Sequence, residues 1–182
     1  MRAGQQLLGK KELGSVYDAL AGYVRQKVVQ HDPSGVLVLG MKRDGDLMVP
    51  HLRERLNGDV RYGSIDFTLY RDDAGELHIP KGPVELPTAV YPVDGQHVIL
   101  LDSVLRTGRS TFAALKALHD MGRPASVELA VLLNRRGHEM PIVPQFQIWN
   151  ENGENYQKDP IPEDLVAKLT EDGLRMVLRR RS

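Results

Sequence analysis

Residues 98–110, VILLDSVLRTGRS, contain the pattern that decides the fold of this chain. The first four residues are apolar, as in a strand that is buried on both faces of a sheet. Asp102 stands at the carboxyl end of this predicted strand, and a turn with a Thr-Gly pair leads to a helix that begins near Arg109. Ligands of open α/β sheets bind beyond the carboxyl ends of the strands. The backbone N–H groups of the turn, the helix N-terminus and the hydroxyls of Thr107 and Ser110 therefore predict a socket for a phosphate monoester.

The length and composition of the chain indicate one globular domain over residues 1–182. Hydrophobic residues make up 41% of the chain, and 24 Lys and Arg balance 24 Asp and Glu, so bulk charge gives no attraction to nucleic acids or membranes. The absence of cysteine excludes disulfides and thiolate zinc sites. No apolar run reaches the roughly 18 residues of a membrane span, and the first residues lack the apolar core of a signal peptide. We therefore expect a cytoplasmic protein.

Alternating strand and helix patterns along the rest of the chain predict an α/β fold. Apolar residues at helical spacing indicate a first helix over residues 10–30, and short apolar runs indicate strands. We expect strands over 36–39, 64–70, 98–101, 127–133 and 146–149, helices over 47–56, 109–121 and 162–169, and a strand or helix over 174–178. The Pro-rich stretch from Pro80 to Pro92 predicts a long, flexible loop or hairpin. The expected fold class is a mostly parallel central sheet flanked by helices.

Several common functional motifs are missing from the sequence. There is neither the Gly-x-Gly-x-x-Gly fingerprint of dinucleotide binding nor the Gly-x-Ser-x-Gly elbow of serine hydrolases. The six histidines are scattered without metal-ligand spacing. Gly4, Gly9 and Lys10 have the spacing of a nucleotide-binding P-loop, but no strand precedes them and Lys11 follows them, so we interpret this match as chance.

Two further polar loops follow predicted strands. Residues 40–46 form a glycine-bracketed loop in which Lys42 and Arg43 are placed to meet an anion, although a solvated connecting loop is the alternative. Residues 134–139 follow the predicted strand over 127–133. Because the carboxyl ends of parallel strands meet at one edge of a sheet, we expect both loops beside the phosphate socket.

The stretch at 98–110 resembles the PRPP-binding motif of type I phosphoribosyltransferases, where PRPP is phosphoribosyl pyrophosphate. That motif has an apolar strand, two acids, two apolar residues, any residue, Thr-Gly, any residue, and Thr or Ser. Each position matches except the second acid, which is Ser103. One branch of the family, the bifunctional pyrimidine operon attenuation regulator and uracil phosphoribosyltransferase, is resembled over about Leu13 to Pro141. Three further stretches carry this resemblance: IDFTLYRDD at 65–73, GRP at 122–124 and LAVL at 129–132.

The resemblance implies a type I phosphoribosyltransferase-like fold and a role for each matching residue. The 5-phosphate of PRPP would be bound by Leu105, Arg106, Thr107, Gly108, Arg109 and Ser110. Pyrophosphate would be bound by Lys42, Arg43 and Gly45. The catalytic residues would be Asp102, which accepts hydrogen bonds from the ribose hydroxyls, with Ser103 and Arg71. A flexible loop that closes over PRPP would begin with Tyr70, Arg71, Asp72 and Asp73. The base side of the site would contain Asn134, Arg135 and Arg136.

The same resemblance implies the cofactor and the partners. Mg²⁺ would arrive with the pyrophosphate and be held through water and substrate oxygens, with no direct metal ligand from the protein. PRPP or a UMP-like nucleotide would be the small-molecule ligand, and the leader of an mRNA would be a macromolecular partner. The chain would form a homo-oligomer, a dimer or a tetramer, and would not bind a membrane.

The sequence departs from the branch at four positions around one pocket. Ser103 replaces an acid, and Lys42-Arg43-Asp44-Gly45 stands where relatives usually have Lys-Thr-Arg-Gly, which adds an anion near pyrophosphate. Asp44 would repel pyrophosphate there unless its side chain turns away. Arg106 occupies a position that is often aromatic or acidic in relatives, and residues 148–153 lack the Gly-Lys-Asn-Ile-Pro stretch that covers uracil.

Two functions are therefore compatible with the sequence. The first is a uracil-type phosphoribosyltransferase, which makes UMP and pyrophosphate from uracil and PRPP, with weakened catalysis. A lost charged hydrogen bond is worth roughly 1.5–3 kcal/mol, or about 10- to 100-fold in rate. The second is a non-catalytic regulator that senses a nucleotide and binds pyrimidine-operon mRNA. The Arg179–Arg181 tail is a solvated charge cluster in the first case and a candidate RNA contact in the second.

Overall fold

Five parallel strands form the central sheet, in the order β2-β1-β3-β4-β5. They are β1 Val36–Met41, β2 Arg61–Ile65, β3 His97–Leu105, β4 Ser126–Asn134 and β5 Phe146–Trp149. The helices are α1 Lys10–His31, α2 Val49–Arg55 and α3 Arg109–Met121, and a separate antiparallel hairpin contains β6 Leu165–Thr170 and β7 Gly173–Leu178. This computed structural model describes residues 10–31, 33–42, 44–56, 58, 60–70, 91–135, 137–149, 165–170 and 173–178.

Helices cover both faces of the sheet, and this explains the continuous apolar runs of its strands. All six residues of β1 are buried. Val36 and Val38 pack in a core with α1 and α2, whereas Leu37 and Leu39 pack in a second core with α3. Side chains of a strand alternate between the two faces, so a strand covered on both faces must be apolar at successive positions. The predicted α/β class with a parallel sheet is confirmed, as is the first helix.

The strand expected over 64–70 is wrong in position. β2 instead spans Arg61–Ile65 and pairs with β1, and the chain leaves the sheet after Ile65. The Asp66 carboxylate accepts a hydrogen bond from the Thr68 N–H at 3.0 Å and starts a 3₁₀ turn over Thr68–Tyr70. Such Asx turns compete with a sheet for the backbone. The alternation of apolar residues over 65–69 is therefore a turn pattern in this chain, and Leu69 is exposed.

The short helix expected over 162–169 is also wrong, because the described part of that stretch belongs to the strand β6. β6 pairs antiparallel with β7, which resolves the 174–178 segment as a strand. Leu169 is buried in the core that contains α1. A short apolar run does not distinguish a strand from a helix by its period, and a long-range pairing decides between them here.

The strand β3 is longer than the apolar run that predicts it. It pairs with β1 only as far as Leu101, opposite Gly40, but it continues beside β4 to Leu105, opposite Asn134. Asp102 therefore lies within β3 and not at its end. The last part of β3 extends past β1, and this leaves space above β1 for the loop that follows that strand.

No helix in the described part of the chain is both long enough and apolar enough to cross a membrane. The proline-rich stretch from Pro80 lies largely within residues 71–90, outside the described residues.

Candidate functional site

The phosphate loop, residues 105–110, joins β3 to α3 through a left-handed glycine. Gly108 has φ of 85°, and a Cβ added there would lie 3.0 Å from the Cβ of Met140. Only glycine adopts this conformation without steric cost. The Thr107 hydroxyl accepts a hydrogen bond from the Arg109 N–H at 3.3 Å, and α3 begins at that residue.

The carbonyl groups of the phosphate loop are bound by the segment that follows β4. The Leu105 carbonyl accepts a hydrogen bond from the Arg135 N–H at 2.8 Å. The Thr107 carbonyl accepts hydrogen bonds from the N–H groups of Glu139 at 2.9 Å and Met140 at 3.0 Å. Carbonyl oxygens would repel an anion, and these two are occupied by other donors. In the first turn of α3, the N–H groups of Ser110 and Thr111 precede the helical hydrogen-bond pattern and are placed to meet an anion.

One of the two arginine side chains of the phosphate loop already has a carboxylate partner. Arg109 forms an ion pair with Glu139 at 2.5 Å, and the side chains of both residues are 48% exposed. Arg106 is exposed. Glu139 therefore offsets part of the Arg109 charge, and the N-terminus of α3 adds its own positive field at the loop.

The loop after β1, Lys42 to Gly45 (the β1 loop), folds over the extended part of β3. A Cβ added at Gly45 would lie 2.0 Å from the Leu101 carbonyl oxygen and 2.5 Å from the Met41 nitrogen, so no larger residue fits there. The Lys42 N–H donates to the Ile65 carbonyl at 3.0 Å, and its ammonium group lies 3.2 Å from the Asp66 carboxylate. The two ends of the β1 loop, Lys42 and Gly45, are thus held by contacts with the end of β2 and with β3.

Two residues that the sequence treats as separate departures meet in this loop. The Ser103 hydroxyl donates a hydrogen bond to Oδ2 of Asp44 at 2.9 Å, and Ser103 is only 2% exposed. The Asp44 side chain is therefore directed to β3. The pKa of the neighbouring Asp102 is raised to about 7, chiefly by burial and also by the Asp44 carboxylate. Hydrogen bonds from the N–H groups of Ser103, at 2.7 Å to Oδ1, and Val104 act in the opposite direction.

The carboxyl end of β4 carries a polar network that sequence reasoning identified only in part. The buried Asn134 side chain donates to Oε1 of Gln147 at 2.8 Å, and its Oδ1 lies 2.8 Å from Nε2 of His138. Arg135 contributes its backbone N–H to the phosphate loop. His138 lies in the loop over 134–139 that was expected here, whereas Gln147 was not expected. Gln147 belongs to β5, the strand beside β4, so its position follows from the sheet order and not from any local motif.

Most of the predicted site residues that the structure describes lie at the ends of the adjacent strands β1, β3 and β4. Tyr70 lies at the end of the 3₁₀ turn after β2, where its hydroxyl donates to Oδ2 of Asp120 at 2.7 Å. Asp120 is on α3, so this hydrogen bond ties Tyr70, the last described residue before position 91, to that helix. The remaining predicted residues lie outside the described residues: Arg43, Arg71, Asp72, Asp73 and Arg136.

The carboxylates of the site suit a cation only if a substrate supplies most of the ligands. Within the described residues, no group of three or more His, Cys, Asp or Glu side chains could hold a metal ion. Mg²⁺ prefers octahedral oxygen coordination and commonly keeps water and phosphate oxygens as ligands. The donor set here is therefore compatible with Mg²⁺ that is bound together with a phosphorylated substrate.

The comparisons with known sequences agree with this geometry. The family described as Phosphoribosyl transferase domain matches residues 11–159. Bifunctional protein PyrR 1 of Lactiplantibacillus plantarum is 44% identical over 135 residues, which are 70% of this chain and 74% of that protein. Bifunctional protein PyrR of Halalkalibacterium halodurans is 40% identical over 148 residues, which are 78% of each chain.

Solved structures show the same fold at low sequence identity. The hypoxanthine phosphoribosyltransferase of Trypanosoma cruzi in complex with the product IMP has a TM-score of 0.67 and 16% identity, and the match covers 98% of this chain and 92% of that chain. The hypoxanthine-guanine phosphoribosyltransferase of Bacillus anthracis has a TM-score of 0.67 and 11% identity, with 97% and 99% covered. The expected type I phosphoribosyltransferase-like fold is confirmed.

Proposed function

This chain belongs to the phosphoribosyl transferase domain family, among the bifunctional PyrR proteins, and we propose on that premise that it transfers a phosphoribosyl group from PRPP to uracil. The products are UMP and pyrophosphate. Mg²⁺ bound with PRPP and a cytoplasmic setting are parts of the same proposal.

The observation that supports this proposal best is the arrangement at the end of β3. The Leu105 and Thr107 carbonyls accept hydrogen bonds from the N–H groups of Arg135, Glu139 and Met140, and the first turn of α3 offers backbone N–H groups to a 5-phosphate. Asp102 lies on the same strand, three residues before the loop begins. A ribose attached to a phosphate in this loop would lie beside Asp102, within reach of its carboxylate.

The chemistry of the transfer requires few groups. The bond from the anomeric carbon to pyrophosphate breaks while a ring nitrogen of the base forms the new bond and gives up its proton to pyrophosphate or water. Positive charge builds on the ribose ring during this exchange. Ionised Asp102 would stabilise this charge and accept hydrogen bonds from the ribose hydroxyls. Lys42 would exchange Asp66 for a pyrophosphate oxygen. Mg²⁺, when bound, supplies further positive charge to the leaving group.

We expect this transfer to be slower than in a site with two adjacent acids on β3. The Ser103 hydroxyl forms hydrogen bonds but carries no charge to balance the developing cation. The raised pKa of Asp102 also means that a neutral solution leaves part of the population protonated. A charged hydrogen bond is worth roughly 1.5–3 kcal/mol, which corresponds to about 10- to 100-fold in kcat.

A direct assay tests the transfer and the base. The protein is incubated with PRPP, Mg²⁺ and, in turn, uracil, hypoxanthine, guanine or orotate, while pyrophosphate and the nucleotide product are measured. We expect UMP from uracil, and a loss of about 10- to 100-fold in kcat for Asp102→Asn. Asp18→Asn is the matched control. It neutralises an exposed carboxylate of α1 that pairs with Arg55 of α2, and we expect its kcat to equal that of the natural protein.

Two results would contradict the proposal in different ways. Release of pyrophosphate with a purine base alone would show that the transfer is right and the base is wrong. No release with any of the four bases would exclude the transfer itself.

A second function is favoured by the replacement of the second acid by Ser103. A protein that binds a nucleotide without turnover needs the phosphate loop but not the acid pair. Such a regulator would bind the leader of pyrimidine-operon mRNA as a dimer or tetramer. A titration of this RNA at rising salt measures the interaction, because phosphate contacts weaken steeply with salt. Absence of binding at low salt, with and without UMP, would exclude the regulator.

A further inference from the structure

The two charge-changing departures of the site lie in contact. The PRPP motif expects an acid at position 103, where this chain has Ser103, and the β1 loop carries an extra acid, Asp44. These residues are 59 positions apart, yet their side chains form a hydrogen bond of 2.9 Å. One strand has lost a carboxylate, and the neighbouring loop supplies one at the same place.

The β1 loop has little freedom to move this carboxylate elsewhere. Gly45, the next residue, lies against the Leu101 carbonyl so closely that an added Cβ would be 2.0 Å away. The Lys42 ammonium lies at Asp66, on the other side of the loop. The Ser103 hydroxyl, which is buried, is the donor that holds Oδ2 of Asp44. The loop geometry and this hydrogen bond both place Asp44 over the extended part of β3.

We propose that Asp44 serves as the second carboxylate of the ribose site, with Ser103 as the residue that positions it. The inference rests on the proposed phosphoribosyl transfer and deepens it, because it names the group that replaces the missing acid. The negative charge opposite the ribose is then shared between Asp102 on β3 and Asp44 on the β1 loop. Positive charge that develops at the anomeric carbon meets two carboxylates, as in a site with adjacent acids.

The electrostatics of Asp102 agree with this placement. Asp44 is the charged side chain that raises the pKa of Asp102, and the other named influences are burial and the N–H groups of Ser103 and Val104. If the Asp44 carboxylate pointed into solvent, water and salt would screen it, and it would have little effect on the pKa of Asp102. The Asp44 carboxylate is therefore close enough to Asp102 to act on it electrostatically.

A cycle of four proteins tests the proposal: the natural chain, Asp44→Asn, Ser103→Asp and the double variant. Asp44→Asn removes the second charge and keeps the shape, so we expect kcat to fall about 10-fold or more, with KM for PRPP changed less than kcat. Ser103→Asp sets a new carboxylate against Asp44, so like charges oppose each other and kcat also falls. The double variant has one carboxylate at 103 and an amide at 44 that donates to it, and its kcat returns to at least the natural value.

The pH profile of kcat supplies a measurement that a merely structural role would not change. Since Asp44 raises the pKa of Asp102, its removal shifts the acid limb of the profile to lower pH. Ser103→Ala, which loosens Asp44 without removing it, shifts the limb in the same direction by less. Asp18→Asn is again the control, because this exposed carboxylate pairs with Arg55 and does not act on Asp102, and we expect it to leave both kcat and the limb unchanged.

The possible outcomes separate the two proposals. The natural protein could make UMP while Asp44→Asn has a kcat within threefold of the natural value and the same acid limb. That result would overturn the role of Asp44 and leave the phosphoribosyl transfer standing. If Ser103→Asp has the same kcat as the double variant, the role of Asp44 is overturned as well, because the Asp44 carboxylate would then not oppose the new carboxylate at position 103. No turnover by any of the four proteins would overturn the phosphoribosyl transfer, and the role of Asp44 with it.

Discussion

The phosphate loop and the β1 loop follow two adjacent strands, β3 and β1, but they differ in how the sequence specifies them. The phosphate loop matches its motif at Thr107, Gly108 and Ser110, and its geometry depends on a left-handed glycine and on backbone hydrogen bonds. The β1 loop departs from its relatives, and its geometry depends on a glycine without backbone strain that packs under another strand. The phosphate loop can therefore be recognised from its sequence motif, whereas the β1 loop can be explained only from its contacts in the folded protein.

The difference teaches that a departure from a motif should be judged after the fold is known. Ser103 alone predicts a weaker enzyme, and Asp44 alone predicts repulsion of pyrophosphate. In the structure, each is the hydrogen-bonding partner of the other. Two substitutions that count separately against activity in the sequence form one arrangement in the site.

The same substitution in the two loops gives the largest expected effect. Gly45→Ala would place a Cβ 2.0 Å from a backbone oxygen and 2.5 Å from a backbone nitrogen, neither of which can rotate away. We expect a loss of more than about 3 kcal/mol in the free energy of unfolding. A Cβ at Gly108 would lie 3.0 Å from the Cβ of Met140, and φ at this position is 85°. Gly108→Ala should therefore lower the free energy of unfolding by only about 1–3 kcal/mol. Urea unfolding of both variants measures the difference.

Gly22→Ala is the control for these glycine variants. A Cβ at Gly22, in the middle of α1, has nothing within 4 Å, so the substitution should stabilise the helix by up to about 1 kcal/mol. Equal losses for Gly45→Ala and Gly108→Ala would remove the distinction between a loop fixed by packing and a loop fixed by backbone conformation.

The second effect concerns pH and separates the acid pair from the phosphate loop. Burial raises the pKa of Asp102 from its ordinary 3.8 to about 7, so the folded protein holds this proton more tightly than the unfolded chain. Stability is therefore lost as pH rises from about 4 to about 7. Asp102→Asn carries no charge at any pH, so its free energy of unfolding should exceed that of the natural protein above pH 7 by about 1 kcal/mol or more.

Unfolding curves at several pH values test this sign. The advantage of Asp102→Asn should shrink as pH falls and vanish below about pH 4, where the carboxyl is protonated in both states. Thr107→Val, a change in the phosphate loop that involves no titrating group, should show an offset that does not depend on pH. A constant offset for Asp102→Asn would mean that its carboxyl titrates normally in the fold.

The sequence predicts the phosphate loop and its supporting elements because the pattern there is local. Apolar residues at successive positions, an acid, a Thr-Gly turn and a helical period all lie within residues 98–121. β6 could not be predicted in this way, because its strand conformation depends on pairing with β7. The turn at Asp66 was hidden by an alternating apolar pattern that suits a strand equally well.

Two contacts of the site that were missed join distant parts of the chain. The bond between Asp44 and Ser103 spans 59 positions, and Gln147 reaches Asn134 from an adjacent strand. One signal was present in the sequence: an acid missing after one buried strand and an extra acid after another. Only the order of the strands, which places β1 beside β3, shows that the two positions are neighbours.

The smallest expected effect returns to the phosphate loop and its ion pair. Arg109 and Glu139 are both about half exposed, and such surface pairs stabilise a fold by about 0–1 kcal/mol. Glu139→Gln should therefore change the free energy of unfolding very little. It removes the negative charge beside the Arg109 guanidinium, however, so the dissociation constant for UMP measured by calorimetry should fall about two- to fivefold at low salt. Because the added attraction is exposed, 0.5 M salt should abolish the gain. Weaker binding by Glu139→Gln would show instead that Glu139 holds the loop in its binding conformation, and the phosphate loop would then depend on side chains as the β1 loop does.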